Sequence, residues 1–225
     1  MGTVTIQDYT VTEPIEMIGK EAGICWGADV EDKNKNYNRG LECLRSGHLR
    51  TAEYPVVYMV LDGYSARVIR EFYTHIAGAP TRLQASTRYI DYEHGFDYII
   101  PDKVAKNPEA LMAYQTAMMV IEEQLRILDD LGIPKEDSAN ILPLGMTTKI
   151  VVKMNFRTLI TMSHQRKCNR AYWEFRDLFA DIEKALSEYS PEWKSLVEEF
   201  FMPKCELYGY CTETYGCGMY PKKGE

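Results

Sequence analysis

The amino-acid sequence predicts an α+β fold, a modest mixed or antiparallel sheet with several packed helices. Three observations carry that expectation. β-prone runs at Tyr54 to Leu61 and Thr147 to Met154 alternate with segments whose apolar residues recur at helical spacing. Caps and breakers mark the boundaries, as at Asn107-Pro108 and Gly132. No internal repeat or low-complexity linker divides the 225 residues, which read as one domain, 1–225, with a cysteine-containing tail from about 203 to 225.

Taken in order, Thr3 to Thr12 is rich in Thr, Val, Ile and Tyr and reads as a strand, and Asp32 to Gly40 reads as a polar loop leading into a helix. Tyr54 to Leu61 is a strand closed by Asp62-Gly63, and Ser65 is the N-cap of a helix running to about His75. Gly78 and Pro80 break that helix, and Arg82 to Asp91 reads as extended. Asn107 caps the longest helix, with Pro108 at its first position and Glu109 at the positive end of its dipole. Leu111, Met112, Met118, Met119, Ile121, Leu125 and Leu128 cover one broad apolar face of it, read as core. Thr147 to Met154 is a strand with Lys149 and Lys153 on its polar side. Asn155 caps a helix to about Arg166, a second spans Ala171 to Leu186, and Ser190-Pro191-Glu192 opens a third.

Composition removes several classes. Hydrophobic residues at 45% and aromatics at 12% exclude a disordered chain. The longest uncharged stretch, Ala110 to Ile121, is shorter than the roughly 20 residues a membrane helix needs, so no membrane association is expected. The N-terminus has neither a basic nor an apolar signal region, and a cytoplasmic location is expected. Lys+Arg 26 against Asp+Glu 33 gives a net charge of −7, which argues against a nucleic-acid polymer as partner and permits a local basic pocket. Cys205, Cys211 and Cys217 recur every six residues, whereas Cys25, Cys43 and Cys168 are scattered. Three thiols lack a fourth zinc ligand unless a His or another subunit supplies it, so they are read as free thiols and no metal is assigned.

Gly-rich phosphate loops, Gly-x-Ser-x-Gly elbows and His-Glu-x-x-His helices are absent. Hydrogen-bond donors concentrate in two other places. In Arg82 to Tyr89, alternation puts Arg82, Gln84, Ser86 and Arg88 on one strand face, where they form either an anion site or a solvated surface. From Asn155 to Arg170, polar groups including Arg157, His164 and Arg166 recur on two neighbouring helix faces beside Leu159, Ile160 and Met162. That narrow polar stripe suits a flat, hydrogen-bonding ligand.

These residues resemble the flavin-dependent thymidylate synthases over most of the chain. Gly47-His48 followed by Glu53 is similar to that family's early Gly-His...Glu signature. Ser65 to His75 resembles the helix entering its Arg-His-Arg-x7-Ser motif, Ser86-Thr87-Arg88-Tyr89 the Ser-x-Arg-Tyr that closes it, and Leu142-Pro143...Thr148 its Leu-Pro...Thr segment. Asn155-Phe156-Arg157-Thr158-Leu159, then Arg166, then Ala171 to Arg176, keeps the order and spacing of the family's Asn-x-Arg-Ser-Leu...Arg...Ala-x-Trp-Glu-Ile-Arg. The departures are Thr74-His75-Ile76 where the family has Arg-His-Arg, Ser86 two residues late, Leu83 and Gln84 in place of Asn and Glu, and Ala139 in place of an Arg. Arg82 is the candidate to replace a lost charge, and Asn140 to replace a lost uracil contact.

The resemblance implies a homotetramer with FAD and dUMP at subunit interfaces, in which NADPH reduces the flavin and 5,10-methylenetetrahydrofolate supplies the carbon that turns dUMP into dTMP. By the same resemblance Ser86 and Arg88 hold the nucleotide phosphate with Gln84 nearby, and Arg166 is the catalytic residue, meeting the uracil ring with Asn140 as a further substrate contact. His48, His75, Arg82, Asn155 and Arg157 are the cofactor-binding set. Trp173 and Glu174 are read as packing and helix pairing. Ala139 and Gln84 leave open a flavin enzyme acting on another pyrimidine nucleotide, Thr74 and Ile76 a non-catalytic nucleotide binder, and the tail a zinc-dependent interaction module.

Overall fold

The computed structural model describes residues 2–92 and 94–224. Strand β1 (Thr3–Ile6) leads into a helical hairpin, α1 (Pro14–Cys25) and α2 (Lys33–Arg45). A 3-10 turn at Thr51–Glu53 precedes β2 (Val56–Ser65), α3 (Ala66–Phe72) and β3 (Thr81–Gln84). The one-turn α4 (Asp102–Ala105), the long α5 (Pro108–Asp130), the short α6 (Lys135–Ser138) and a 3-10 turn at Ala139–Ile141 follow. The remainder is β4 (Thr147–Asn155), α7 (Phe156–Arg166), α8 (Trp173–Tyr189), α9 (Pro191–Phe200) and the one-turn α10 (Lys204–Tyr208).

The expected sheet is present and antiparallel, in the order β1-β2-β4-β3. Along β4, Thr148, Ile150, Val152 and Met154 are buried while Lys149, Val151 and Lys153 face solvent, so the period-two pattern decides which face meets the helices. That face joins Met59 and Leu61 of β2 to Phe72 of α3, Leu159 of α7, Phe175 and Phe179 of α8 and Trp193 of α9. Each large side chain so buried stabilises by about 1.5–3 kcal/mol relative to exposure. Helix caps fall where the sequence puts them: Asn107, Asn155 and Ser190 accept from the first-turn amides of α5, α7 and α9.

Five expectations change. The first strand stops at Ile6, and α1 follows where no helix is predicted. Gly19 and Gly23 weaken its helical signal, yet Gly19 is needed because a Cβ there would lie 1.7 Å from the Asn36 carbonyl of α2. Asp32 to Gly40 is helix rather than loop, since Asp32 accepts from the Asn34 and Lys35 amides and starts α2. Asp62-Gly63 does not close β2: the strand continues to Ser65 through a bulge at Gly63, whose φ of +77° suits glycine. The segment from Arg82 is extended only to Gln84. Finally, α5 is not a core helix, for only Met118 and Leu125 are buried, whereas Met112 and Met119 are each 66% exposed and Leu131, at its C-cap, 70%. Periodicity marks an apolar face, and does not by itself say that the face is buried within the chain.

Candidate active site

Two elements from opposite ends of the sequence build the first half of the site. Ser65, where β2 becomes α3, caps the helix by accepting from the Val68 amide, and buried Glu174 at the start of α8 accepts from the Ser65 amide (2.7 Å) and hydroxyl (2.5 Å). This bracket fixes α3, which delivers Glu71, Thr74 and His75. From the other side, Asn155 accepts from the Thr158 amide at 2.9 Å and starts α7, whose last residue is Arg166. Arg166 then donates from Nε to His75 Nε2 at 2.9 Å, from Nη1 to Glu71 Oε2 at 3.1 Å and from Nη2 to Thr74 Oγ1 at 3.4 Å. Its guanidinium carbon lies 4.2 Å from the Phe175 ring centroid.

The electrostatics agree with that geometry. Burial first, then the charges of Arg166 and Arg82, push His75 down to about 4, so it is neutral near pH 7 and Nε2 is a lone-pair acceptor. Arg82 donates to the His75 carbonyl and lies 4.9 Å from the Tyr73 ring centroid. Its Nε is a buried donor without a protein partner among the described residues. Gly78, at φ +71°, lets the chain pass Asn155: a Cβ there would sit 2.5 Å from Asn155 Nδ2. The Thr158 hydroxyl stands 2.7 Å from both the Ala77 carbonyl and Asn155 Oδ1, tying this loop to α7.

The remaining nominated residues lie in two further places. Arg157 pairs with Glu53, so the early and late blocks of the sequence meet, while the His48 side chain is exposed and its carbonyl accepts from Thr51. Gln84 ends β3 and is exposed. The expected single strand face of Arg82, Gln84, Ser86 and Arg88 does not form, because Ser86 turns the chain, its carbonyl accepting from the Tyr89 and Ile90 amides. Arg88 pairs with Glu136 at 2.9 Å, and Asn140 donates to the Glu136 and Asp137 carbonyls, so Ser86, Arg88 and Asn140 belong to a locus held by α6. Glu71, Glu136 and Phe175 were missed as partners; the one signal for Glu71 is an acidic residue four positions before His75, within one helical turn.

A cavity of about 470 Å³ lies elsewhere: among the nominated residues only Arg166 lines it, and the rest of its wall is the end of α7, the α7–α8 turn and the C-terminal tail.

Fold and site together define a class: an α+β protein that holds fixed arginines beside a neutral histidine at an open surface. Residues 5–192 match the family model described as thymidylate synthase complementing protein. The flavin-dependent thymidylate synthase of Nitratidesulfovibrio vulgaris is 31% identical over 191 residues, covering 79% of this chain and 74% of that one. That of Thermococcus onnurineus is 33% identical over 181 residues, covering 74% and 69%. The chain belongs to this family, that of the flavin-dependent thymidylate synthases. Solved structures share the fold: a Helicobacter pylori thymidylate synthase X with FAD and dUMP (TM-score 0.66, 18% identity, 88% of this chain and all of that one) and a UMP/dUMP methylase PolB from Streptomyces cacaoi with 5-Br dUMP (TM-score 0.72, 18% identity, 89% and 96%).

Proposed function

We propose that this chain converts dUMP to dTMP as an FAD-dependent thymidylate synthase, with 5,10-methylenetetrahydrofolate as carbon donor and NADPH as reductant. The single observation that supports it best is the Arg166–His75 contact, which brings a residue of the late motif against the retained histidine of the divergent signature. Three of the five Arg166 N–H groups are engaged, leaving two to donate to a pyrimidine carbonyl. Held by Glu71, His75 and Phe175, the guanidinium is pre-oriented, so it stabilises negative charge developing on that carbonyl without reorganising. Ser86 and Arg88 hold the nucleotide phosphate with Gln84 nearby, and Asn140 is the further contact to the uracil.

The residues present fit a flavin: the orphaned Arg82 Nε asks for an acceptor, and exposed Ile76, Leu83 and Tyr89 offer apolar surface to a ring system. His48, His75, Arg82, Asn155 and Arg157 would hold it. When bound, FAD supplies the hydride chemistry, which no side chain provides. The role of the protein groups is to bind, orient and polarise the substrate. The uncovered apolar face of α5 supports a homotetramer whose sites lie between subunits. Six free cysteines suit the reducing cytoplasm.

The test is colour and its coupling to substrate. Purified protein should take up FAD, bleach with NADPH and recover its absorbance only with dUMP plus the folate. Arg166→Ala should retain FAD but lose the dUMP-dependent recovery, and wild-type recovery in that variant would refute the role. Ala139 and Gln84, which depart from the family pattern, favour one alternative, a different pyrimidine substrate; recovery with UMP or dCMP rather than dUMP identifies it.

A further inference from the structure

The C-terminal tail is lightly held, with no residue from 202 to 224 buried, yet it closes a cavity. It is seated on the α7–α8 turn, where Arg170 donates to the Tyr215 carbonyl at 2.7 Å and Asn169 Nδ2 lies 2.9 Å from Met219 Sδ. Between turn and tail lies the space of about 470 Å³, a size that small ligands fill. One side of its wall comes from residues 203–219, beyond the matched residues 5–192, so that side is no part of the segment the family model covers.

The wall combines two chemistries. Acids outnumber bases in the whole chain, 33 to 26, yet Arg166, Lys167, Arg170 and Lys204 line this cavity against one carboxylate, Glu213. Arg166 and Lys167 are paired with Glu71 and Glu183. Arg170 and Lys204 have no carboxylate partner among the described residues: Arg170 engages Tyr215 through Nη1, and Lys204 lies 5.7 Å from the Tyr208 ring centroid. The second chemistry is soft and apolar, for Cys168, Cys205, Cys211, Cys217 and Met219 line the same space. The cysteines are free thiols, and no group of three His, Cys, Asp or Glu among the described residues could hold a metal ion. Their sulfurs therefore act as polarisable surface, which suits an aromatic ring. An aromatic ring that carries separated carboxylates satisfies both parts of the wall.

We propose that this cavity binds the p-aminobenzoylglutamate arm of the carbon donor, with the ring among the sulfur-bearing side chains and the glutamate carboxylates on Arg170 and Lys204. The identity of the ligand rests on the thymidylate synthase activity proposed above. Arg166 connects the two places, since it lines this cavity and is also the residue held against His75. The one-carbon unit of the donor must reach the pyrimidine that Arg166 meets, and the arm leaves past the end of α7, where this cavity lies. Two cations on different elements, the α7–α8 turn and α10, suit two separate carboxylates better than the single compact phosphate that distinguishes NADPH.

The experiment measures donor dependence in the FAD-loaded full chain. Arg170→Ala and Lys204→Ala should each raise KM for 5,10-methylenetetrahydrofolate about 5- to 30-fold, with the dUMP dissociation constant and the NADPH KM unmoved. Lys184→Ala, at an exposed position on α8 outside the cavity, should change none of them. The matched probe is 5,10-methylenetetrahydropteroate, which keeps the benzoyl ring and lacks the glutamate; its KM should be the same in wild type and variants. Loosening of the tail, by contrast, would weaken both donors alike. Equal rises for the two donors, a rise confined to NADPH, or an unchanged folate KM overturns the proposal. Wild type that takes up FAD but shows no dUMP-dependent recovery overturns the proposed activity instead. Calorimetry with p-aminobenzoylglutamate alone then decides the cavity: binding that the Arg170→Ala/Lys204→Ala double variant loses supports it, and no binding to wild type removes it.

Discussion

Replacing Glu174 tests how the strand-to-helix junction positions the site. Its carboxylate is 4% exposed and accepts from the Ser65 amide and hydroxyl, with the Tyr172 hydroxyl at 3.3 Å. Glu174→Ala removes a charged acceptor from two buried donors, the Ser65 amide and hydroxyl. Removing one partner of a buried charged contact costs about 3–5 kcal/mol, the scale of two hydrogen bonds to a carboxylate. For a chain of this size that lowers Tm by roughly 6–20 °C. Glu174→Gln keeps one carbonyl for the Ser65 amide but turns a donor toward the Ser65 hydroxyl, and should cost about 1–2 kcal/mol. Urea midpoints at fixed protein concentration separate the two, concentration being held because assembly contributes to apparent stability. An Ala variant costing no more than the Gln variant would refute the bracket as the anchor of α3.

Three other outcomes are expected. Arg88→Ala should raise the dUMP dissociation constant about 10- to 100-fold through loss of a charge-assisted phosphate bond, with Tm unchanged because its Glu136 pair is solvent-exposed; unaltered affinity in a binding titration removes this locus as the phosphate site. His75 is held below its ordinary 6.5, at about 4, so the unfolded chain takes up that proton first and stability present above pH 6.5 declines as pH falls toward 4. The difference between wild type and His75→Gln across that window should be about 3 kcal/mol, and parallel pH–stability curves would contradict it. Gly78→Ala should cost about 1–3 kcal/mol, because alanine is strained at φ +71° and its Cβ meets Asn155 and Thr158; reduced FAD occupancy should accompany the lower Tm.

Much of the fold was legible because local rules and tertiary needs coincide. The alternation of Thr147 to Met154 is the same fact as the burial pattern of β4, and Asn107, Asn155 and Ser190 mark helix starts because short polar side chains satisfy first-turn amides anywhere. Where close approach overrides propensity, as at Gly19 in α1, sequence alone misleads. The identities of Arg166, His75, Arg82 and Asn155 were readable from motif order, but their contacts were not. That Arg166 binds a neutral His75, that Ser86 leaves the strand, that α5 keeps its apolar face outward and that Cys168 joins the tail thiols are decided by the tertiary structure. The reason is physical: propensity and periodicity act over a few residues, whereas pKa, ligand geometry and burial depend on groups that folding brings from roughly a hundred positions away.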